Sequence, residues 1–166
     1  QFLKSQKKQL PDAIRYGVML EVPSLAEQLD VLAPKISFLS IGTNDLTQFL
    51  FAADRANPKL AERYDWLSPS ILRFLKRVLA SLAGHKVDVT VCGEMGGRQL
   101  EAMALIGLGI RRLSITPASV GPIKEMVCKL DIDELSEAMG GWLATPPRDM
   151  RKTLSDWAAE RDIAID

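Results

Sequence analysis

The sequence is poor in cysteine and histidine, carries no net charge and has no long apolar run, and each scarcity excludes a class of protein. Its two cysteines, Cys92 and Cys128, stand far apart with no CxxC pair. A disulfide scaffold is therefore excluded, and a reducing, cytoplasmic compartment is expected. Lysine and arginine number 21, as do aspartate and glutamate, so the strongly basic surface of a non-specific nucleic-acid binder is missing. The local basic clusters, Lys4 to Lys8 and Arg73-Lys76-Arg77, read as solvated helix faces. No apolar run approaches the ~18 residues of a membrane span. P-loop, GxGxxG, HExxH and GxSxG motifs are all absent. The opening Gln1-Phe2-Leu3-Lys4 has neither an initiating methionine nor a signal core, and reads as cut from something longer.

What is present is a core and an order. Apolar residues make up 47% of the 166 positions, enough for one well-packed domain. Residues 1–10 carry Phe2, Leu3 and Leu10 on one helical face before Pro11. Strands are expected at Tyr16 to Val22, Ile36 to Ile41, Val87 to Val91 and Arg112 to Ile115. Between them run a helix from Ser24, with Ser24 and Glu27 as a capping box, and a short helix from Leu46 to Ala53. Asn57-Pro58 reads as a turn. Ser68-Pro69 reads as the cap and first position of a long helix to Ala83. A further helix from Gln99 to Ile106 ends at Gly107 and Gly109. Three more helices follow, over 119–129, 132–140 and 147–160. Strand and helix alternate four times, so the sheet is parallel. The strands read as mostly apolar on both faces, as expected when helices or a closed barrel cover them. A closed (β/α)8 barrel takes about 250 residues, so this chain has room for its second half only; a four-stranded open sheet is the other solution.

Three strands end in polar residues. Gly17-Val18-Met19-Leu20-Glu21-Val22-Pro23 ends in a carboxylate. Phe38-Leu39-Ser40-Ile41-Gly42-Thr43-Asn44-Asp45-Leu46-Thr47-Gln48 runs through a glycine into an amide and a carboxylate. Val87-Asp88-Val89-Thr90-Val91-Cys92-Gly93-Glu94 ends in a thiol and a carboxylate. In a parallel sheet such tips share one edge, the usual place for an active site.

Each tip residue has two readings. Glu21 and Asp45 could hold Mg²⁺, which keeps several waters and takes one or two protein carboxylates; alternatively Asp45 caps the helix from Leu46 and Glu21 pairs with a basic side chain. Asn44 could donate to a phosphoryl or carboxylate oxygen, or bond its own backbone in a turn. Arg55 suits a bidentate anion contact, or a surface pair with Asp54 or Glu62. Cys92 is a proton donor or nucleophile if it opens onto the site, and a packing residue otherwise. Gly93 to Gly97 could offer N–H groups to an anion. Thr116, Ala118 and Ser119 could touch a ligand or cap the following helix. Cys128 reads as core, and His85 as a surface turn on the far side of the sheet.

The segments MLEVP, SIGTNDL with Thr47-Gln48, Asp54-Arg55 and Cys92-Gly93-Glu94-Met95 resemble the barrel domain of the phosphoenolpyruvate-utilising enzymes, in order from about residue 12 to 130. The likeness is to the phosphoenolpyruvate–protein phosphotransferases (enzyme I of the bacterial phosphotransferase system), in particular their nitrogen-related branch. Pyruvate phosphate dikinase and phosphoenolpyruvate synthase share much of the central segment. The resemblance implies a partial barrel over 1–166, with a helical extension from 131 and with the upstream half-barrel and phosphohistidine domains absent. It implies Mg²⁺ on Glu21 and Asp45, substrate contacts from Asn44 and Arg55, a substrate loop at Gly93 and Glu94, and proton transfer at the methylene carbon by Cys92. Phosphoryl would pass from phosphoenolpyruvate to an enzyme histidine and then to a histidine-containing carrier protein, releasing pyruvate. His85 does not match that histidine. A homodimer through the barrel domain is implied, without nucleic acid or membrane insertion.

Two positions depart from the family pattern. Ser68-Pro69 stands where a histidine–proline pair is usual, and Gly96-Gly97-Arg98 stands where alanine, glycine and aspartate follow the CGEM segment. These departures keep open a non-catalytic, phosphoenolpyruvate-sensing interaction protein. Half a barrel would also bare strand edges and apolar surface, so self-association or dependence on the missing half is expected.

Overall fold

The computed structural model describes residues 5–6, 12–61 and 64–165; most of the expected helix over 1–10, and Glu62, lie outside them. Four parallel strands run β1 (Gly17–Leu20), β2 (Phe38–Gly42), β3 (Asp88–Cys92) and β4 (Leu113–Ser114), in spatial order β1-β2-β3-β4. Helices α1 (Pro23–Ala26) and α2 (Leu29–Leu32) follow β1, and α3 (Thr43–Phe51), α4 (Pro58–Ala61) and α5 (Pro69–Ser81) follow β2. Helix α6 (Gln99–Gly107) follows β3, and α7 (Pro117–Lys129), α8 (Ile132–Ala144) and α9 (Met150–Ala159) follow β4. Sequential neighbours, all parallel, with helical crossovers make this a partial (β/α) barrel.

The pairing register sorts the side chains into two faces. Val18, Leu39 and Val89 align in one row and Leu20, Ile41, Val91 and Leu113 in the next. Leu20, Leu39, Ile41 and Val91 have no exposed surface and pack beneath the helices. The alternate positions form the other face: Met19, Ser40 and Thr90 in one row, Gly17, Phe38 and Asp88 in another. There Met19 is 48% and Phe38 39% exposed. The expectation of strands mostly apolar on both faces holds for the buried face and is corrected for the other, where polar residues alternate with apolar ones. With period-two alternation only one face is sealed from water, and the other mixes the exposed Met19 and Phe38 with Ser40, Thr90 and Asp88.

Local chemistry sets most helix boundaries. Ser68 Oγ accepts from the Ser70 N–H and Pro69 opens α5, as the sequence predicts. Its Ile71, Leu72, Phe74, Leu75 and Val78 are buried at helical spacing. The Ser24–Glu27 capping box does not form. Val22 stands at the N-cap of α1, whose first position is Pro23, and makes no side-chain cap bond. Asn57-Pro58 is the start of a helix rather than a plain turn: Asn57 Oδ1 accepts from the Lys59 N–H at 3.0 Å.

Helix α6 is buried along its whole length, including Glu101 at 2% exposure. A charge buried in a helix that is otherwise apolar needs a partner. Arg151 of α9 supplies it, at 2.6 Å from Glu101 Oε1, while holding both oxygens of Asp65 at 2.6 and 2.9 Å. Burial works to raise the Asp65 pKa, but hydrogen bonds from Arg151 and the Leu67 N–H, with the charges of Arg151 and Arg98, hold it below the ordinary value. The clamp ties α9 to α6 and to the segment leading into α5. At the base of the sheet Asp88 meets Arg15 at 2.6 Å and Arg112 at 2.7 Å. This triad is largely solvent-exposed and adds little stability.

Candidate functional site

The site lies where the parallel strands end. Glu21 follows β1 directly, α3 starts at the residue after β2, Cys92 is the last residue of β3, and Glu94 opens the turn that follows. The sheet order puts these segments side by side.

Gly42 and Gly93 explain how the tips approach one another. A Cβ on Gly42 would lie 2.8 Å from Glu21 Cγ and 3.1 Å from Glu21 Oε1. The missing side chain lets Glu21 cross the end of β2 towards the first turn of α3. Gly93 has φ +108°, and a Cβ there would meet Thr43 Oγ1 at 2.6 Å and Asn44 Oδ1 at 3.2 Å. Both its backbone conformation and its closeness to Asn44 require glycine.

Asn44 and Glu94 bond reciprocally. Asn44 Nδ2 donates to Glu94 Oε1 at 3.4 Å, and the Glu94 N–H donates to Asn44 Oδ1 at 3.3 Å. Thr43 Oγ1 donates to the Cys92 carbonyl at 3.1 Å. The α3 start and the Gly93 turn are thus one connected unit, and Asn44 does not spend its amide on its own turn. Asp45 sits inside the first turn of α3, whose N-cap is Gly42 with no side-chain cap bond. The capping reading of Asp45 is therefore overturned: its carboxylate faces Arg55 Nη2 at 3.5 Å. Arg55 is held from behind, its own N–H donating to Gln48 Oε1 at 3.2 Å. Asp54, the alternative partner of Arg55, instead accepts from the Ala56 N–H. Glu21 makes no ion pair among the described residues.

Cys92 is half-buried. Ser40 Oγ donates to its sulfur at 3.2 Å, and the thiol faces the Ile41 carbonyl at 3.4 Å. Ser40 was not singled out in the sequence, although it alternates with the buried Leu39 and Ile41 and so had to share the Cys92 face. Thr116 and Ser119 hydroxyls lie 3.1 Å apart. Ser119 lines a cavity of about 490 Å³ together with Asn44, Glu94, Arg98 and Thr116. A second cavity, about 440 Å³, joins Arg55, Trp66, Glu94 and Arg98.

Two outlying residues resolve differently. His85 is exposed in the turn before β3, at the end of the sheet away from the tips, as expected. Cys128 is exposed, not core; α7 buries Ile123 and Met126, and Cys128 falls off that stripe. Glu101, Asp65 and Arg151 escaped sequence reading because nothing local links positions so far apart.

No group of three or more His, Cys, Asp or Glu side chains forms a metal cluster among the described residues. No helix among them is long and apolar enough to cross a membrane.

Comparison with known proteins gives the family. The chain is 44% identical over 135 residues to a phosphoenolpyruvate-protein phosphotransferase of Borreliella burgdorferi, covering 81% of this chain and 24% of that protein. It is 43% identical over 120 residues to a protein of Salmonella typhimurium named for the phosphoenolpyruvate-dependent phosphotransferase system, covering 72% and 16%. A multiphosphoryl transfer protein of Escherichia coli K12 is 35% identical over 126 residues, covering 76% and 15%. The chain thus spans a quarter or less of the length of these curated relatives. The family of PEP-utilising enzymes, through its PEP-binding domain, matches residues 1–132, and the chain belongs to that family.

Proposed function

We propose that this chain is the phosphoenolpyruvate-binding part of a phosphoenolpyruvate–protein phosphotransferase, contributing the C-terminal half of its barrel over 1–166 with a helical extension from 131. The observation that carries the reading is the convergence of Glu21, the Asn44–Glu94 pair, the Asp45–Arg55 pair and the Ser40–Cys92 contact at one edge of the sheet. The upstream half-barrel would cover the bare sheet face that carries Met19 and Phe38, and further upstream domains would carry the accepting histidine. The relatives named above are phosphotransferases, which favours this reading over a dikinase or synthase.

Glu21 and Asp45 offer hard oxygen donors and leave positions open, which fits Mg²⁺. That ion, when bound, would polarise the phosphoryl and enolate oxygens. Arg55 swings its guanidinium from Asp45 onto the anionic substrate, a two-point contact that lysine would not reproduce. Asn44 donates its amide N–H to a substrate oxygen, held in place by the bond between its own Oδ1 and the Glu94 N–H. When phosphoryl leaves for the histidine of another domain, the enol(ate) carbon accepts the Cys92 proton and pyruvate forms. The Ser40 hydroxyl then stabilises the sulfur as thiolate, and the reverse reaction returns the proton by the same path.

His85 plays no part in this scheme. Cytoplasmic residence, a histidine-containing carrier as partner and dimerisation through the barrel belong to the same proposal. In the full-length protein, labelled phosphoenolpyruvate with Mg²⁺ should give acid-labile, base-stable phosphohistidine and release pyruvate. Binding without any label, under conditions that phosphorylate a homologue, would instead support a non-catalytic sensor.

A further inference from the structure

We infer that Arg98 is a substrate-binding residue, a second guanidinium that joins Arg55 on the anionic ligand; this rests on the function proposed above. Three cations surround the cavity beside Glu94: Arg55, Arg98 and Arg151. Arg151 is occupied by Asp65 and Glu101, and Arg55 faces Asp45. Arg98 alone of the three has no ion pair among the described residues. Asp65 feels its charge but makes its side-chain bonds to Arg151.

Arg98 is nevertheless held. Its guanidinium carbon lies 4.8 Å from the centroid of the Trp66 ring, a cation–π contact that restrains the side chain while it stays exposed. Trp66 is itself anchored between Asp65, held by Arg151, and the buried Leu67. An exposed arginine on a rigid aromatic perch loses less freedom on binding an anion than one on a free tether.

Its position supplies the target. Arg98 lines both cavities that flank Glu94, the one shared with Asn44 and the one shared with Arg55. With Glu94 it is common to the surroundings of the two proposed substrate contacts, and of the two it is the cation. A ligand with a carboxylate and a phosphoryl group presents two anionic ends, and each offers oxygens that a guanidinium can fork onto. Where the family pattern has aspartate, this chain thus carries the opposite charge on the substrate side.

The test uses full-length Arg98→Ala, Arg98→Lys and Trp66→Phe proteins. Arg98→Ala should raise the KM for phosphoenolpyruvate about tenfold or more, the scale of one charge-assisted hydrogen bond, with kcat changed by less than about threefold. Arg98→Lys should recover part of the loss, since it keeps the charge but not the fork. Phosphoenolpyruvate should also change the Trp66 fluorescence, isolated as the difference between wild type and Trp66→Phe, and Arg98→Ala should abolish that change. If Arg98→Ala folds poorly, Arg98→Lys and the wild-type fluorescence titration decide the matter. An unchanged KM with an unresponsive Trp66, in a wild-type protein that does become labelled, overturns the role of Arg98 alone. A wild type that is never labelled, yet shows the Arg98-dependent fluorescence change, overturns the proposed reaction and keeps the binding residue.

Discussion

The two faces of the one sheet are built from the same strands to opposite ends. On the helix side, Leu20, Leu39, Ile41 and Val91 are sealed from water. On the other side, one residue along in each strand, stand Met19, Ser40, Thr90 and Cys92. The first face removes apolar area from water and holds the strands in register. The second does little for that core and carries the thiol, its hydroxyl partner and the route to the carboxylates. Core packing and the proposed chemistry are thus separated by a single step along the chain, so substitutions on the two faces should fail in different ways.

The largest effect is expected on the sealed face. Leu39→Ala should cost about 2–5 kcal/mol of unfolding free energy in urea titration, while the remaining folded enzyme keeps its kcat. A loss of kcat without loss of stability would mean that the faces are not separate. Cys92→Ala should behave in the opposite way. Pyruvate formation should slow by roughly 10²-fold, with Mg²⁺ binding and the thermal midpoint close to wild type, since sulfur is a poor ligand for that hard ion. If Cys92→Ala turned over normally and merely melted earlier, Cys92 would belong with the packing residues.

Gly42→Ala probes the point where the faces meet at the strand end. A Cβ 2.8 Å from Glu21 Cγ should displace that carboxylate and weaken Mg²⁺ activation about tenfold, a change read from the metal dependence of the rate. Normal Mg²⁺ dependence would remove Glu21 from the ligand set.

The smallest effect concerns neither face but the clamp. Asp65 has a lowered pKa in the folded protein, so its contribution is complete above the ordinary carboxylate value and is lost as pH falls through the lower folded one. Wild-type stability should therefore decline in that acid range, and Asp65→Asn should flatten this part of the profile. The side chain is 43% exposed, so the difference should stay below about 1 kcal/mol after solvent screening. An identical acid profile in both proteins would show that Arg151 gains nothing from Asp65 beyond what Glu101 supplies.

Sequence and structure part company where a helix boundary or buried stripe shifts by a few residues, and where partners lie far apart along the chain. The strand tips were readable because each is a local pattern, an apolar run stopping at a polar residue. Ser68-Pro69 was readable for the same reason. The capping alternative for Asp45 fails because α3 begins three residues before Leu46, at Thr43, with Gly42 as its N-cap. Cys128 was misread as core because its apolar neighbours Met126 and Val127 suggested a wider buried stripe than α7 presents. The perch of Arg98 on Trp66 has no local signature at all.

The sequence by itself determined the alternation of strand and helix, the parallel sheet and the polar residues that end its strands, because hydrophobic period and turn chemistry act over a few residues. Only the tertiary structure decided that Asn44 locks to Glu94, that Asp45 faces Arg55, that Ser40 donates to Cys92 and that Arg98 rests over Trp66. Those relations join different strands and helices, and their partners meet only when burial of the helix-facing rows brings the strands side by side.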